Sequence, residues 1–142
     1  MSLIVSLLAL ASNAALGIWL GSIVFFSFVG APTTFSVLGR EDAGRVVNAI
    51  FPTYYLFGVV LGLIALLAVL GRGMVGGFGS GLLAMLGLVG FGVLATGYAR
   101  WALIPRMEQA GADAFEQYHR QSVLLNGLTM VAVGGALVAS HL

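Results

Sequence analysis

The chain has no cysteine, no lysine and only three prolines in 142 residues. Without a thiol there is no disulfide, thiolate metal site, iron–sulfur cluster or catalytic cysteine. Charge is nearly as scarce. Only 8% of residues are charged, against roughly 25% in an average soluble domain. Six arginines and five acids leave a net charge of +1, which gives no electrostatic footprint for nucleic acid. No glycine-rich phosphate loop and no zinc-ligand spacing occurs either. Hydrophobic residues make up 60% of the chain. So few charges cannot clothe a soluble globule of this size.

The charges that do occur leave four long gaps. No charged side chain falls in 1–39, 46–71, 73–99 or 121–142, and each gap exceeds the roughly 20 apolar residues that a membrane-spanning helix needs. The sequence therefore predicts an all-α, integral membrane four-helix bundle forming one domain. Its spans lie at about 3–29, 52–70, 75–99 and 119–140. The first span is expected to stop near Ala31-Pro32. A tight turn is expected at Gly71-Arg72-Gly73. Ala9-Leu10-Ala11 fits a small-residue cleavage pattern, but no positive charge precedes it, so an uncleaved first span is expected.

Four crossings place both termini on one side. The opposite side carries Arg40, Arg45, Arg100, Arg106 and Arg120, and the terminal side only Arg72. The positive-inside rule then puts the longer connections in the cytoplasm of a bacterial-type inner membrane, with both termini outside. In the first connection Ala43, Val46, Val47, Ile50 and Phe51 follow helical spacing. That predicts a short amphipathic interfacial helix before span two, kinked at Pro52, with a Glu41–Arg45 pair at i,i+4. In the second, Asp113 marks a helix start and Glu116 is spaced to pair with Arg120. Pro32 and Pro105 each follow an odd-numbered span, 73 residues apart, a faint sign of a parallel repeat.

Glycine is abundant, 21 residues. Inside lipid, small residues let helix backbones approach and carry the packing. Gly17/Gly21, Gly58/Gly62 and Gly77/Gly81 have GxxxG spacing, one pair on each of the first three spans. They serve packing within the chain or, alternatively, a homo-oligomer seam.

The aromatic residues are lopsided. Twelve of fifteen fall on the cytoplasmic half, as do ten of the eleven charges, so any chemistry is expected there. His119, Ser122 and Asn126 are spaced i, i+3 and i+7, one polar stripe entering the bilayer that must face protein or water. Pro32, Arg45, Pro52, Tyr54, Tyr55 and Arg100 lie at similar depth. With the stripe they form the candidate ligand-binding set; no catalytic residue is assigned. His119 is a weak candidate for a metal or haem ligand. The other histidine, His141, is 22 residues on, about 33 Å along one helix.

Several short motifs are similar to those of a known family. Trp19-Leu20-Gly21, Phe25-Phe26-Ser27-Phe28-Val29 and Ala31-Pro32 with Phe35 resemble the first-span signature of the transmembrane protein 205-like family. Ala43-Gly44-Arg45 with Phe51-Pro52-Thr53-Tyr54-Tyr55 resembles its second block, and His119-Arg120-Gln121-Ser122 with Asn126 its third. The resemblance implies a four-span protein broadly similar to the CopD-like group, whose members are associated with copper handling or haem chemistry. Copper is not expected here, because the chain lacks the several histidines and methionines of a copper route. Three readings follow. The first is a non-enzymatic binding or scaffold protein whose cytoplasmic mouth takes a small ligand, a membrane lipid or a partner. The others are a haem-binding redox or haem-metabolism protein, and a small oligomeric exporter or pore.

Overall fold

The computed structural model describes residues 2–109 and 112–142, and side-chain surroundings for all of these except 107, 108 and 112–116. Asp113, Phe115 and the expected Glu116–Arg120 pair lie outside the described side chains. Every element is helical: α1 (Leu3–Phe25), α2 (Ala31–Leu38), α3 (Arg40–Gly76), α4 (Ser80–Tyr98), α5 (Ile104–Gln109) and α6 (Ala112–Ala139). One wide π turn, Phe26–Gly30, joins α1 to α2, and another, Ala99–Leu103, joins α4 to α5. Four stretches are long and apolar enough to cross a membrane: Leu3–Leu38, Arg40–Gly76, Ser80–Arg106 and Gln117–Ala139. The expected all-α four-span bundle is what the chain forms. Around the bundle the order is α1, α3, α4, α6, each packed on its neighbours.

The helices run further than the sequence suggested. Pro32 does not end the first span. It sits in the first turn of α2, where its missing N–H matters least. The π turn before it closes with Ala31 N–H donating to Phe26 O, and the second with Ile104 N–H donating to Ala99 O, just ahead of Pro105. The expected separate interfacial helix is likewise fused into α3, which continues through Pro52. Its inward stripe is the buried Ala43 and Val47 and the half-buried Phe51, while Val46 and Ile50 face outward. Arg45 pairs with Asp42 rather than Glu41.

Gly71-Arg72-Gly73 is helix, not turn. The chain reverses at Gly77, whose φ of +88° is the left-handed region that glycine adopts freely. Gly73 is needed for another reason: a Cβ there would lie 2.0 Å from the Phe78 ring, which folds back over it.

The core is built around Trp19, which is 2% exposed. Its indole lies in a cradle of three glycines from the two helices facing it. A Cβ on Gly58 would lie 2.7 Å from Trp19 Nε1, and one on Gly62 or Gly92 3.0 Å from the six-membered ring. Gly58/Gly62 thus meets its packing partner inside the chain. Gly17 and Gly21 face open space, and Gly77/Gly81 is not a helical pair, because Gly77 lies in the turn. Leu16, Ile23, Val69, Met85, Val89 and Val133 complete the interior.

Candidate functional site

At the end of the bundle away from the termini, three helices bring polar groups together. The first π turn supplies Ser27, α3 supplies Tyr54 and Tyr55, and α6 supplies Ser122 and Asn126. Tyr54 Oη donates to Asn126 Oδ1 at 2.6 Å, and Asn126 Nδ2 donates to Ser27 Oγ at 2.7 Å. One turn away, the Tyr55 and Ser122 hydroxyls share a hydrogen bond at 2.5 Å. Each amide atom of Asn126 is thereby matched to a group of the right polarity, as a polar side chain inside lipid requires. Two layers of this seam, four residues apart on α6, tie α1, α3 and α6 together.

The π turn helps to bring Ser27 there. Residues Trp19, Ile23, Ser27, Ala31 and Phe35 are spaced by four, and on a regular helix each step of four drifts by about 40°. A turn closed by an i→i−5 bond is wider and absorbs part of that drift. The side of α1 that buries Trp19 and Ile23 is thus continued by Ser27, Ala31 and Phe35.

Beside the seam is a cleft of about 200 Å3, lined by Phe26, Ser27, Ala31, Phe35, Val47, Phe51, Tyr55, His119, Ser122, Val123 and Asn126. Among the described residues, none of α4 or α5 lines it. Its walls are mostly apolar. Phe26 lies edge-on to Phe51 at 5.7 Å and tilted on Tyr54 at 4.7 Å, while Phe51 stacks on Tyr55 at 5.7 Å. Phe35 and Val123 are exposed at its rim. Behind the seam, Trp19, Tyr54, Thr96, Asn126 and Thr129 border a void of about 10 Å3, room for one water at most.

Of the residues expected to form the site, Tyr54, Tyr55, His119, Ser122 and Asn126 come together, and the predicted polar stripe of α6 does face this cleft. The other four do not join them. Pro32 is exposed on α2, and Pro52 is half-buried in α3 without lining the cleft. Arg45 is exposed and paired with Asp42. Arg100 belongs to the second π turn, its guanidinium 5.8 Å from the Trp101 ring centroid. The sequence reading missed Ser27, Phe26, Phe35 and Phe51 as lining residues. The spacing of four from Trp19 was the available signal for Ser27 and Phe35.

Among the described residues, the cleft offers a haem or a copper ion few ligands. His119 is the single histidine at it, and His141 lies beyond the far end of α6. Among the described residues, no group of three histidine, cysteine or acidic side chains is placed to hold a metal.

No solved structure matches the chain. An "Uncharacterized protein" of Aquifex aeolicus (strain VF5) is 35% identical over 130 residues, covering 88% of this chain and 91% of that protein. Residues 14–116, from the middle of α1 to the first turns of α6, match a family model described as a domain of unknown function, DUF4149. With most of its length matched in this way, the chain belongs to the DUF4149 family.

Proposed function

We propose that the protein is a non-enzymatic membrane protein that binds the acyl portion of a lipid or similar amphiphile in the cleft between α1–α2, α3 and α6. One observation carries this reading. The cleft joins an apolar, aromatic wall to the polar stripe of His119, Ser122 and Asn126, and its rim residues Phe35 and Val123 are exposed. An amphiphile offers the same two chemistries in one molecule. The tyrosine, asparagine and serine groups are hydrogen-bonded to one another, which suits holding a shape better than moving protons. The resemblance to the transmembrane protein 205-like family supports the four-span frame of this reading and adds no reaction to it. The arginine distribution supports a bacterial-type inner membrane with the cleft at the cytoplasmic interface and the termini outside. The open Gly17/Gly21 face of α1 is where a second copy would pack.

The test uses purified full-length protein, stripped of lipid in neutral detergent and titrated with oleoyl lysophosphatidylglycerol. The melting midpoint should rise with ligand. Val123→Trp, placed at the exposed rim where it need not disturb the core, should abolish the rise. An equal rise in both proteins defeats the cleft as the site.

A further inference from the structure

Behind the polar seam lies a second polar site, and it stands whether or not the cleft takes a lipid. Among the described residues, Ser12, Thr96, Ser122 and Thr129 are the buried polar side chains. Three of them have partners. Ser12 donates to Ala9 O, Ser122 shares a bond with Tyr55, and Thr129 donates to Leu125 O. The hydrogen bonds of this region engage Ser27, Tyr54, Tyr55, Ser122, Asn126 and Thr129. They reach neither the hydroxyl of Thr96, which is 5% exposed, nor the indole N–H of Trp19, which is 2% exposed. Polar groups buried this deeply in proteins are nearly always hydrogen-bonded, to protein or to an ordered water.

Trp19 and Thr96 both line the void of about 10 Å3 behind the seam. The indole lies lengthwise against its glycine cradle, with its six-membered ring on Gly62 and Gly92. Its Nε1 edge is at Gly58, where an added Cβ would sit 2.7 Å from Nε1 and 3.2 Å from Thr96 Cγ2. Gly58 is one turn along α3 from Tyr54, which borders the void. The N–H edge of the indole is therefore the edge on the void's side. Across the void are Tyr54, Asn126 and Thr129. Tyr54 Oη and Thr129 Oγ1 each donate one bond and can still accept, and Asn126 Oδ1 accepts one bond and has a second lone pair. Two donors and several acceptors thus border a space that fits one water, which needs about 10–15 Å3 and two to four polar partners. Among the described residues, no charged side chain lines it, so nothing there selects an ion over a neutral molecule.

We propose that this void is a binding site for a single water molecule. The water accepts from the Trp19 indole N–H and the Thr96 hydroxyl and donates to the Tyr54, Asn126 and Thr129 side. The seam by itself joins α1, α3 and α6; the water brings in α4 through Thr96. The test uses the full chain, labelled with 15N-tryptophan, in neutral detergent. Its two tryptophans give two indole signals, assigned with Trp101→Phe at an exposed position. A cross-peak between Trp19 Hε1 and water is expected, with NOE and ROE of opposite sign, which excludes direct exchange of the indole proton. A neighbouring hydroxyl that exchanges with solvent gives a similar peak, so two variants separate the sources. Thr96→Val removes one hydroxyl and Tyr54→Phe the other, and each leaves Trp19, Asn126 and Thr129 to hold the water. The peak should persist in both; Thr96→Ala stands in should Thr96→Val fail to fold. No peak in the natural chain, or its loss in the Thr96 or the Tyr54 variant, overturns the proposal.

Discussion

Replacing Gly62 by alanine puts one methyl group where the bundle has no room for it. The added Cβ would lie 2.4 Å from Val93 Cγ2 and 3.0 and 3.1 Å from the Trp19 ring. Neither neighbour yields easily. Valine in a helix has one strongly preferred rotamer, and Trp19 is held on its other sides by Gly58 and Gly92. Overpacking of this kind costs about 1–3 kcal/mol. Alanine gains up to about 1 kcal/mol of helix propensity over glycine, and less in a membrane, where the dissociated helices remain helical. The net expectation is a loss of about 1–2 kcal/mol. Gly87→Ala, inside α4, is the control, because a Cβ there meets nothing within 4 Å. It should be neutral or stabilising by up to about 1 kcal/mol. Reversible unfolding in mixed micelles on titration with a denaturing detergent, followed by tryptophan fluorescence, measures both. Gly62→Ala as stable as the natural chain would refute the cradle as the basis of packing.

Other substitutions test the remaining elements. Tyr54→Phe removes the donor to Asn126 and should cost about 0.5–2 kcal/mol, the range of interhelical hydrogen bonds in membranes and slightly above. Its double-mutant cycle with Ser27→Ala should be non-additive, because both hydroxyls bond the same amide. Gly77→Ala, at φ +88°, should lower stability by about 1–2 kcal/mol, whereas Gly79→Ala, with extended backbone and open surroundings, should be near neutral in the same unfolding titration. Trp19→Ala should be the most destabilising of the set, at about 3–5 kcal/mol.

The spacing of charge made the four spans legible, and the i, i+3, i+7 pattern made the polar face of α6 legible, because both depend only on helical geometry and on the cost of polarity in lipid. Helix ends were not legible. Proline and glycine are read as breakers in water, but lipid leaves the backbone no other partner, so helices persist through them. Pro52 stays inside α3, and Gly71 and Gly73 serve close approach to Leu8 and Phe78. The site was legible in part for a related reason. Depth along the chain grouped Arg45 and Arg100 with the tyrosines, but depth does not fix which face of a helix a residue occupies. Ser27 was missed because a lone serine among phenylalanines gives no polar stripe to follow.

The two π turns give the faint repeat a physical form. They begin at Phe26 and Ala99, which are 73 residues apart, as are Pro32 and Pro105. The same offset carries Ser27 onto Arg100. In the first hairpin the second residue of the π turn is a short hydroxyl that bonds Asn126 of α6 and leaves a cleft beside it. In the second hairpin it is an arginine whose enclosed Nε has no partner, while Ala99, Leu103 and Ile104 close against Tyr55. Tyr55 therefore stands between the two halves, with one side sealed by the second π turn and the other open to the cleft. Two similar hairpins thus differ at this end of the bundle: serine at one π turn borders a cleft, whereas Ala99, Leu103 and Ile104 at and after the other close against Tyr55.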